Sequence, residues 1–211
     1  MRNYFRYVIY LLAAVCFSSA HANPAVNFFR AVNTDNERAV KSLLDQGFDP
    51  NTPNPQGQVG LFLAMRDESP KVAAVLLAHP AVRVDATTPA DETPLMMACL
   101  RGNIEWARRL LDSGAALNRA GWTPLHYAAS GSQTALVNLL LDRGAAIDAS
   151  SPNRSTPLMM AARYGASESA ELLLARGADT KARNERDLTA ADFARAAGRE
   201  ALAARIEAAT R

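Results

Sequence analysis

A threonine recurs at a nearly constant interval along the chain, and this period restricts the fold more than any other feature. Successive copies are 30, 33 and 33 residues apart, at Thr93, Thr123, Thr156 and Thr189. A glycine recurs in the same phase, at intervals of 30 and 33 residues, at Gly114, Gly144 and Gly177. Self-similarity with a period of about 20–50 residues indicates a stack of similar structural units rather than a set of unlike elements.

The clearest unit, residues 121–148, has the pattern of a helix–loop–helix. Thr123 can cap a helix with its hydroxyl, and Pro124 follows at the first helical position, where its missing N–H costs nothing. We expect a short helix, a polar break at Ser132 and Gln133, and a second, leucine-rich helix that ends at a left-handed Gly144. Helices this short are unstable alone, so each unit must bury its apolar face against a neighbour.

Three units begin with Thr-Pro-Leu, at residues 93–95, 123–125 and 156–158, and the fullest version is TPLHYAA at residues 123–129. A period near 33 residues with a T-P-L-H-x-A core is the signature of the ankyrin repeat, and the chain closely resembles that family. The resemblance implies an all-α ankyrin-repeat solenoid of about six helix–loop–helix repeats that project short β-turn fingers.

The repeat pattern predicts one ankyrin-repeat domain over residues 23–211, in which three well-formed repeats lie between weaker ones. The second repeat has Val59-Gly60-Leu61 in the Thr-Pro-Leu place, and the last has Thr189-Ala190-Ala191-Asp192. The terminal repeats are more polar, as a solvated outer side requires. No room remains for a separate catalytic domain. The predicted repeats are residues 23–51, 52–85, 86–118, 119–148, 149–180 and 181–211.

One predicted finger is shorter than its neighbours. Four residues separate Asn118 from Thr123, whereas seven separate Asp85 from Thr93 and Asp148 from Thr156. The finger before the fourth repeat is therefore three residues short. Two interpretations remain open: a tolerated loop deletion, or a notch in the row of fingers that helps a partner to fit.

Residues 1–22 have the pattern of a secretory signal peptide. Arg2 and Arg6 precede an apolar run over residues 7–17, and Ala20-His21-Ala22 supplies the small residues of a cleavage site. A retained membrane anchor is the alternative, but a spanning helix needs about 20 apolar residues. Cys16 suggests a lipoprotein, yet Val15 is bulkier than such signals usually permit. The short signal and compact chain look bacterial, which predicts a periplasmic protein with no membrane contact after cleavage.

The charge balance gives no reason to expect a nucleic acid or an anionic membrane as partner. The full chain has 23 Lys and Arg against 21 Asp and Glu, and two of the arginines lie in the leader, so the rest of the chain is formally neutral. Only one cysteine, Cys99, follows the leader, so no internal disulfide can form.

The sequence carries no pattern that predicts catalytic, cofactor-binding or metal-binding residues. A metal site needs several Cys or His at short spacing, and His126 is the only histidine well inside the repeats. Resemblance to the family implies that His126 forms hydrogen bonds within and between repeats. We expect Cys99 to be a buried, inert thiol, and the methionine pairs at 96–97 and 159–160 to fill the core. The enzyme alternative is a hydrolase that uses His126 with a nearby acid.

Resemblance to the family implies that the concave face, formed by first-helix residues and finger tips, binds another protein. Arginine recurs on the expected face, and Tyr164 adds an aromatic group; both types are common at interface hot spots. The predicted concave residues are Arg66, Asp67, Leu100, Arg101, Ser130, Arg163 and Tyr164. The predicted finger-tip residues are Asp91, Glu92, Trp122, Asn153 and Arg154, although Trp122 also suits packing on its own repeat.

These observations predict a monomeric, non-catalytic interaction module. Resemblance to some bacterial periplasmic ankyrin proteins implies support of a stress-defence enzyme such as catalase. The alternative is an immunity or inhibitor protein that neutralises a periplasmic toxin or enzyme; a host-directed effector fits a cleavable leader less well.

Ser132 is predicted to be a weak point of the fourth repeat. It lies where the third and fifth repeats have Gly102 and Gly165. A left-handed serine would cost about 1–2 kcal/mol, so Ser132→Gly is predicted to stabilise the chain if the loop has that conformation.

Overall fold

The computed structural model describes residues 23–209; the predicted signal peptide, residues 1–22, and residues 210–211 lie outside the described part. The described part contains twelve helices, and its one β-pairing is an isolated bridge between Pro53 and Val59. The predicted all-α class is therefore confirmed. The helices are α1 (Pro24–Asn33), α2 (Glu37–Asp45), α3 (Gly60–Arg66), α4 (Pro70–Leu77), α5 (Pro94–Leu100), α6 (Ile104–Asp112), α7 (Pro124–Ser130), α8 (Thr134–Asp142), α9 (Pro157–Arg163), α10 (Ser167–Ala175), α11 (Ala190–Ala196) and α12 (Glu200–Ala209).

The helices form six antiparallel pairs that stack in chain order. Each odd-numbered helix packs against its own even-numbered partner and against the odd-numbered helix of the next pair. We call the odd-numbered helices first helices and the even-numbered ones second helices. This nearest-neighbour arrangement is that of a repeat solenoid, in which each unit buries its apolar face on the next.

The recurring threonines are the residues that cap the first helices. The side chain of the fourth residue of each motif completes the cap. In four repeats the side chain of that fourth residue accepts a hydrogen bond from the threonine backbone N–H, with different chemistry each time. The pairs are Thr93 to Met96 Sδ at 3.4 Å, Thr123 to His126 Nδ1 at 3.2 Å, Thr156 to Met159 Sδ at 3.4 Å and Thr189 to Asp192 Oδ2 at 2.8 Å. A buried or partly buried N–H is thereby satisfied at each of these four starts.

The core is a ladder of equivalent positions. The leucine of each Thr-Pro-Leu motif is fully buried, as is Leu61 of the second repeat. The second helices supply a parallel row: Leu76, Leu110, Leu140, Leu173 and Ile206. In the second repeat Gly60 takes the place of the motif's proline, and the ring of Phe28 packs against it, 2.8 Å from where a Cβ on Gly60 would lie.

The loop between the two helices of a repeat follows different paths in different repeats. It contains a left-handed residue in the first, second, third and sixth repeats: Asp35, Glu68, Gly102 and Gly198. Ser132 and Gly165 are not left-handed, so the prediction of a strained backbone at Ser132 is wrong. The chain is instead extended at Gly131, with φ −87° and ψ −179°, and the Gly131 carbonyl accepts a hydrogen bond from the Ala166 N–H.

Gly165 is needed for close packing of the fourth and fifth repeats, not for its φ. A Cβ at this position would lie 2.0 Å from the carbonyl oxygen of Ala129. By contrast, the glycines that follow second helices are left-handed as predicted; Gly144 has φ +89° and Gly177 has φ +88°. Glycine is therefore required for a different physical reason at each of these two kinds of position.

Four short polar side chains connect successive repeats before the fingers. Asn118 accepts from the Ala146 N–H at 2.8 Å and donates to the Gly144 carbonyl at 2.9 Å. Asn51, Asp85 and Asp148 accept from the equivalent backbone N–H groups of the following repeats, at 2.7, 3.0 and 2.9 Å. These bonds fix the register of each repeat on the next.

No helix within residues 23–209 combines the length and the apolar character needed to cross a membrane.

Candidate protein-binding site

Four fingers share one hydrogen-bonded turn. In each, the residue five positions before the first-helix cap donates its N–H to the residue four positions later, at 2.9 to 3.1 Å. A left-handed residue lies at every tip, namely Gly57, Asp91, Arg154 and Asp187, with φ between +60° and +75°. Asp is tolerated in this conformation, which explains two of the four.

The finger before the fourth repeat lacks this turn. The residue five positions before its cap is Asn118, which is already engaged as the connector to the next repeat. The three missing residues are therefore those that would form the tip. Arg119 reaches back to the neighbouring finger and donates to the carbonyl and carboxylate of Asp91, at 2.8 and 2.6 Å. The row of fingers has a gap here, as the sequence suggested.

A pocket of about 220 Å³ opens at this gap. We call it the notch pocket; it is lined by Leu100, Trp122, His126, Tyr127, Ser130 and Met160, and so by three successive repeats. Trp122, from the shortened finger, closes its finger end. Leu100 and Ser130, the last residues of α5 and α7, close its loop end.

The polar groups of the notch pocket have partners inside the protein. Tyr127 donates its hydroxyl to Glu92 Oε1 at 3.2 Å, and burial together with the Glu92 charge raises the pKa of Tyr127 to about 12. Ser130 donates to the carbonyl of His126 at 2.8 Å. The pocket therefore presents mainly aromatic and aliphatic surface to an incoming group.

His126 has a structural environment. Its Nδ1 accepts from the Thr123 N–H, and its Nε2 lies 3.0 Å from the Ser155 carbonyl of the next repeat. Because a carbonyl can only accept, Nε2 carries the proton. Burial lowers the pKa of His126. Trp122 packs edge-on against the imidazole, with 5.2 Å between ring centroids.

Cys99 is buried, as predicted, and desolvation raises the pKa of its thiol. The thiolate, which is the reactive form, is therefore disfavoured. Across residues 23–209, no three His, Cys, Asp or Glu side chains form a group that could hold a metal ion.

Four predicted concave residues lie exposed around the notch pocket. Leu100 is 44% exposed and Tyr164 is 60% exposed, which is unusual for large apolar or aromatic side chains. Arg101 and Arg163 are exposed beside them, and the Arg163 guanidinium lies 5.4 Å from the centre of the Tyr164 ring. Together they form an exposed row that we call the concave row.

Arg66 and Asp67, also predicted on this face, are occupied with each other. The Arg66 guanidinium makes two bonds to the Asp67 carboxylate, at 2.7 and 2.8 Å, and a third to Gln58 Oε1 at 3.0 Å. The hydrogen bond that Arg66 donates to Asp67 raises the pKa of Arg66. A partner would have to break these bonds, so we place this pair outside the concave row.

The predicted finger-tip residues differ in availability. Arg154 is exposed without an ion pair in the described part of the chain, whereas Asp91 is bound by Arg119. Asn153 accepts from Ser151 Oγ at 2.6 Å, and its backbone carbonyl accepts from the Glu185 N–H at 3.1 Å, which joins two fingers.

Sequence reasoning missed Tyr127, Met160 and Arg119 as site residues. Tyr127 and Met160 occupy the same position of their repeats, four residues after the cap, and the preceding residue is buried in each case. The signal that could have identified them was the short finger itself, because a missing tip uncovers the first-helix residues behind it.

Comparison with protein families gives one matching profile. It is described as Ankyrin repeats (3 copies), and it matches residues 28–120 and 116–184. These two matches cover most of the chain and include the notch pocket and the concave row.

Three animal proteins illustrate the similarity to curated sequences. Neurogenic locus notch homolog protein 4 of Homo sapiens is 42% identical over 97 residues, which is 44% of this chain and 5% of that protein. Ankyrin repeat, SAM and basic leucine zipper domain-containing protein 1 of Dasypus novemcinctus is 37% identical, over 48% of this chain and 23% of that protein. Transient receptor potential cation channel subfamily A member 1 of Homo sapiens is 30% identical, over 70% of this chain and 14% of that protein. The chain thus spans less than a quarter of each of these relatives.

Proposed function

Because this chain belongs to the ankyrin-repeat family, we propose that it is a non-catalytic module that binds another protein through the concave row and the notch pocket. Repeat solenoids of this kind present extended concave surfaces for binding. The fold alone does not identify a function, so the proposal depends on the surface.

The observation that carries the proposal is the exposure of Leu100 and Tyr164 on one face, beside an apolar pocket. Exposed leucine and tyrosine side chains around a concavity mark interaction surfaces when they cluster. Arg101 and Arg163 stand next to them, and arginine with tyrosine is the combination enriched at interface hot spots. The environments of His126 and Cys99 also support a non-catalytic module, since neither side chain has the environment of a catalytic group.

We place the activity in the periplasm. The pattern of residues 1–22, with two arginines, an apolar run and Ala20-His21-Ala22, supports secretion by a cleavable signal. A stress-defence enzyme such as catalase is the partner class that we put forward, from the resemblance to bacterial periplasmic ankyrin proteins. A toxin or enzyme neutralised by the chain is the alternative partner.

The test is site-specific photocrosslinking in cells that make the protein. A photoreactive phenylalanine analogue replaces Tyr164, the most exposed aromatic residue of the concave row. A matched probe replaces Arg108, an exposed residue on the second helix of the third repeat. Crosslinked material is purified from the periplasmic and cytoplasmic fractions and identified by mass spectrometry.

We expect one dominant protein adduct from position 164, absent from position 108 and found in the periplasmic fraction. The same adduct should disappear when Leu100 and Arg101 are both changed to alanine. Adducts of equal yield from both positions would contradict the concave interface. A dominant adduct in the cytoplasmic fraction would contradict the location alone.

A further inference from the structure

The size of the notch pocket restricts what can occupy it. Its volume of about 220 Å³ is below the roughly 300–1,000 Å³ of pockets that hold small-molecule ligands and cofactors. A single bulky side chain is a better match. Three of its lining residues, Leu100, Trp122 and Met160, offer apolar surface, so the group that enters should be aromatic or aliphatic.

The polar lining residues reinforce this conclusion. The hydroxyl of Ser130, both ring nitrogens of His126 and the hydroxyl of Tyr127 all have partners within the protein. A polar group that entered the pocket would lose its bonds to water and find these groups already engaged, which is costly. The charged parts of any partner must therefore remain outside.

The charged side chains nearest the loop end of the pocket are positive. At its loop end, Arg101 directly follows Leu100, and Arg163 lies one helical turn beyond Met160 on α9. Neither guanidinium forms an ion pair within residues 23–209, in contrast to Arg66 and Arg119. At the finger end the charges are mixed, since Glu92 lies against the Tyr127 hydroxyl and Arg119 binds Asp91.

We infer that the notch pocket receives one bulky apolar side chain from an acidic segment of the partner, whose carboxylates bind Arg101 and Arg163. This inference rests on the proposed function and specifies which part of the partner is recognised. The apolar group anchors the segment, and the two guanidinium groups select acidic residues on the side towards the loop end. Arginine suits this role because its planar fork matches a carboxylate.

The experiment selects a displayed library of random 12-residue peptides on the purified protein, followed by fluorescence polarisation with the enriched peptides. Ser130→Trp fills the pocket, and Ala196→Trp is its matched control, since Ala196 is the exposed residue at the same position of the last repeat. Arg101→Glu with Arg163→Glu reverses the rim charge, and Arg108→Glu is the control for charge. All five residues retain at least partial exposure, and circular dichroism checks folding.

We expect enriched peptides that share an aromatic or large aliphatic residue next to Asp or Glu. Their affinity should fall at least about tenfold with Ser130→Trp and with the double charge reversal, and stay within about twofold in both controls; one buried side chain accounts for a change of that size. Basic peptides, peptides that bind the Ser130→Trp variant equally, or no enrichment would each overturn the inference. Photocrosslinking at position 164 tests the proposed function separately. An adduct that persists in the Ser130→Trp variant would support a binding module that does not use the notch pocket.

Discussion

Replacing His126 with methionine separates its bond to the Thr123 N–H from its other hydrogen bonds, because the third and fifth repeats already have a buried methionine at this position. The Met96 and Met159 sulfurs accept from the cap N–H as His126 Nδ1 does. His126→Met should therefore keep the bond from the Thr123 N–H, and lose the bond to the Ser155 carbonyl together with the 2.8 Å bond that Nδ1 accepts from the Thr123 hydroxyl.

The expected cost follows from what remains bonded. The Ser155 carbonyl also accepts from the Ser151 N–H at 3.0 Å, so it is not left unsatisfied. His126→Met should then lower the free energy of unfolding by about 1–3 kcal/mol, the net value of two hydrogen bonds. His126→Ala leaves the Thr123 N–H without a buried acceptor and opens a cavity, for a loss of about 3–5 kcal/mol.

The assay is equilibrium urea unfolding followed by circular dichroism for the wild type and both variants at pH 7.5. Equal losses in the two variants would refute the reasoning, since they would mean that the fit of the ring rather than the acceptor atom stabilises the repeat.

The same variant tests the pKa of His126. Burial lowers this pKa in the folded state, so the unfolded chain takes up the proton first, near pH 6.5. The contribution of His126 is therefore complete above about pH 6.5 and declines as the pH falls through that value towards the folded pKa. The stability advantage of wild type over His126→Met should shrink between pH 7.5 and pH 5.5. Parallel pH profiles would contradict a lowered pKa.

Three further changes test the packing and the loops. Gly165→Ala should cost about 1–3 kcal/mol or more, because the new Cβ meets the Ala129 carbonyl, and urea unfolding measures it. Glu68→Gly should raise the free energy of unfolding by up to about 1 kcal/mol, since Glu68 is left-handed. Ser132→Gly should lower the free energy of unfolding by about 0.4–1 kcal/mol, since Ser132 is not left-handed. A gain in stability in both variants would show that Ser132 is left-handed. Arg199→Ala should cost about 1.5–3 kcal/mol, because its guanidinium donates to three carbonyls of the fifth repeat at 2.9 to 3.0 Å, and hydrogen exchange in α12 should rise.

Gly144→Ala is the matched control for Gly165→Ala. Gly144 is left-handed but has open space where a Cβ would lie, so this change measures conformational strain alone, about 1–2 kcal/mol. If Gly144→Ala lowered the stability while Gly165→Ala left it unchanged, the close approach at Ala129 would have no effect on stability.

The repeat frame was predictable because local chemistry marks it at each boundary. Pro124 after Thr123 marks the start of a first helix, and Gly144 marks the end of a second helix. Each of these signals depends only on residues close to it in the sequence. The apolar ladder then follows from the helical period.

The loop at Ser132 was not predictable from the same signals. Gly102 and Gly165 occupy one repeat position, yet the first is there for its φ and the second for its contact with the Ala129 carbonyl. A glycine in a sequence does not distinguish these causes, because one is local and the other depends on the neighbouring repeat.

The candidate site was predictable only in part, for a similar reason. Leu100, Arg101, Arg163 and Tyr164 were expected on the concave face from their positions after the cap. The bonds from Arg66 to Asp67 and Gln58 depend on side-chain geometry that spacing does not contain. The notch pocket needs three repeats to be stacked before it exists at all.

The connector at Asn118 has a consequence for how such a surface can change. It holds the next repeat from a point before the missing tip, and Thr123 caps α7 from a point after it. Insertions and deletions between these two residues therefore leave both of these attachment points in place. Evolution, or a protein engineer, can lengthen or trim this segment to exchange one binding specificity for another while the inherited scaffold continues to fold.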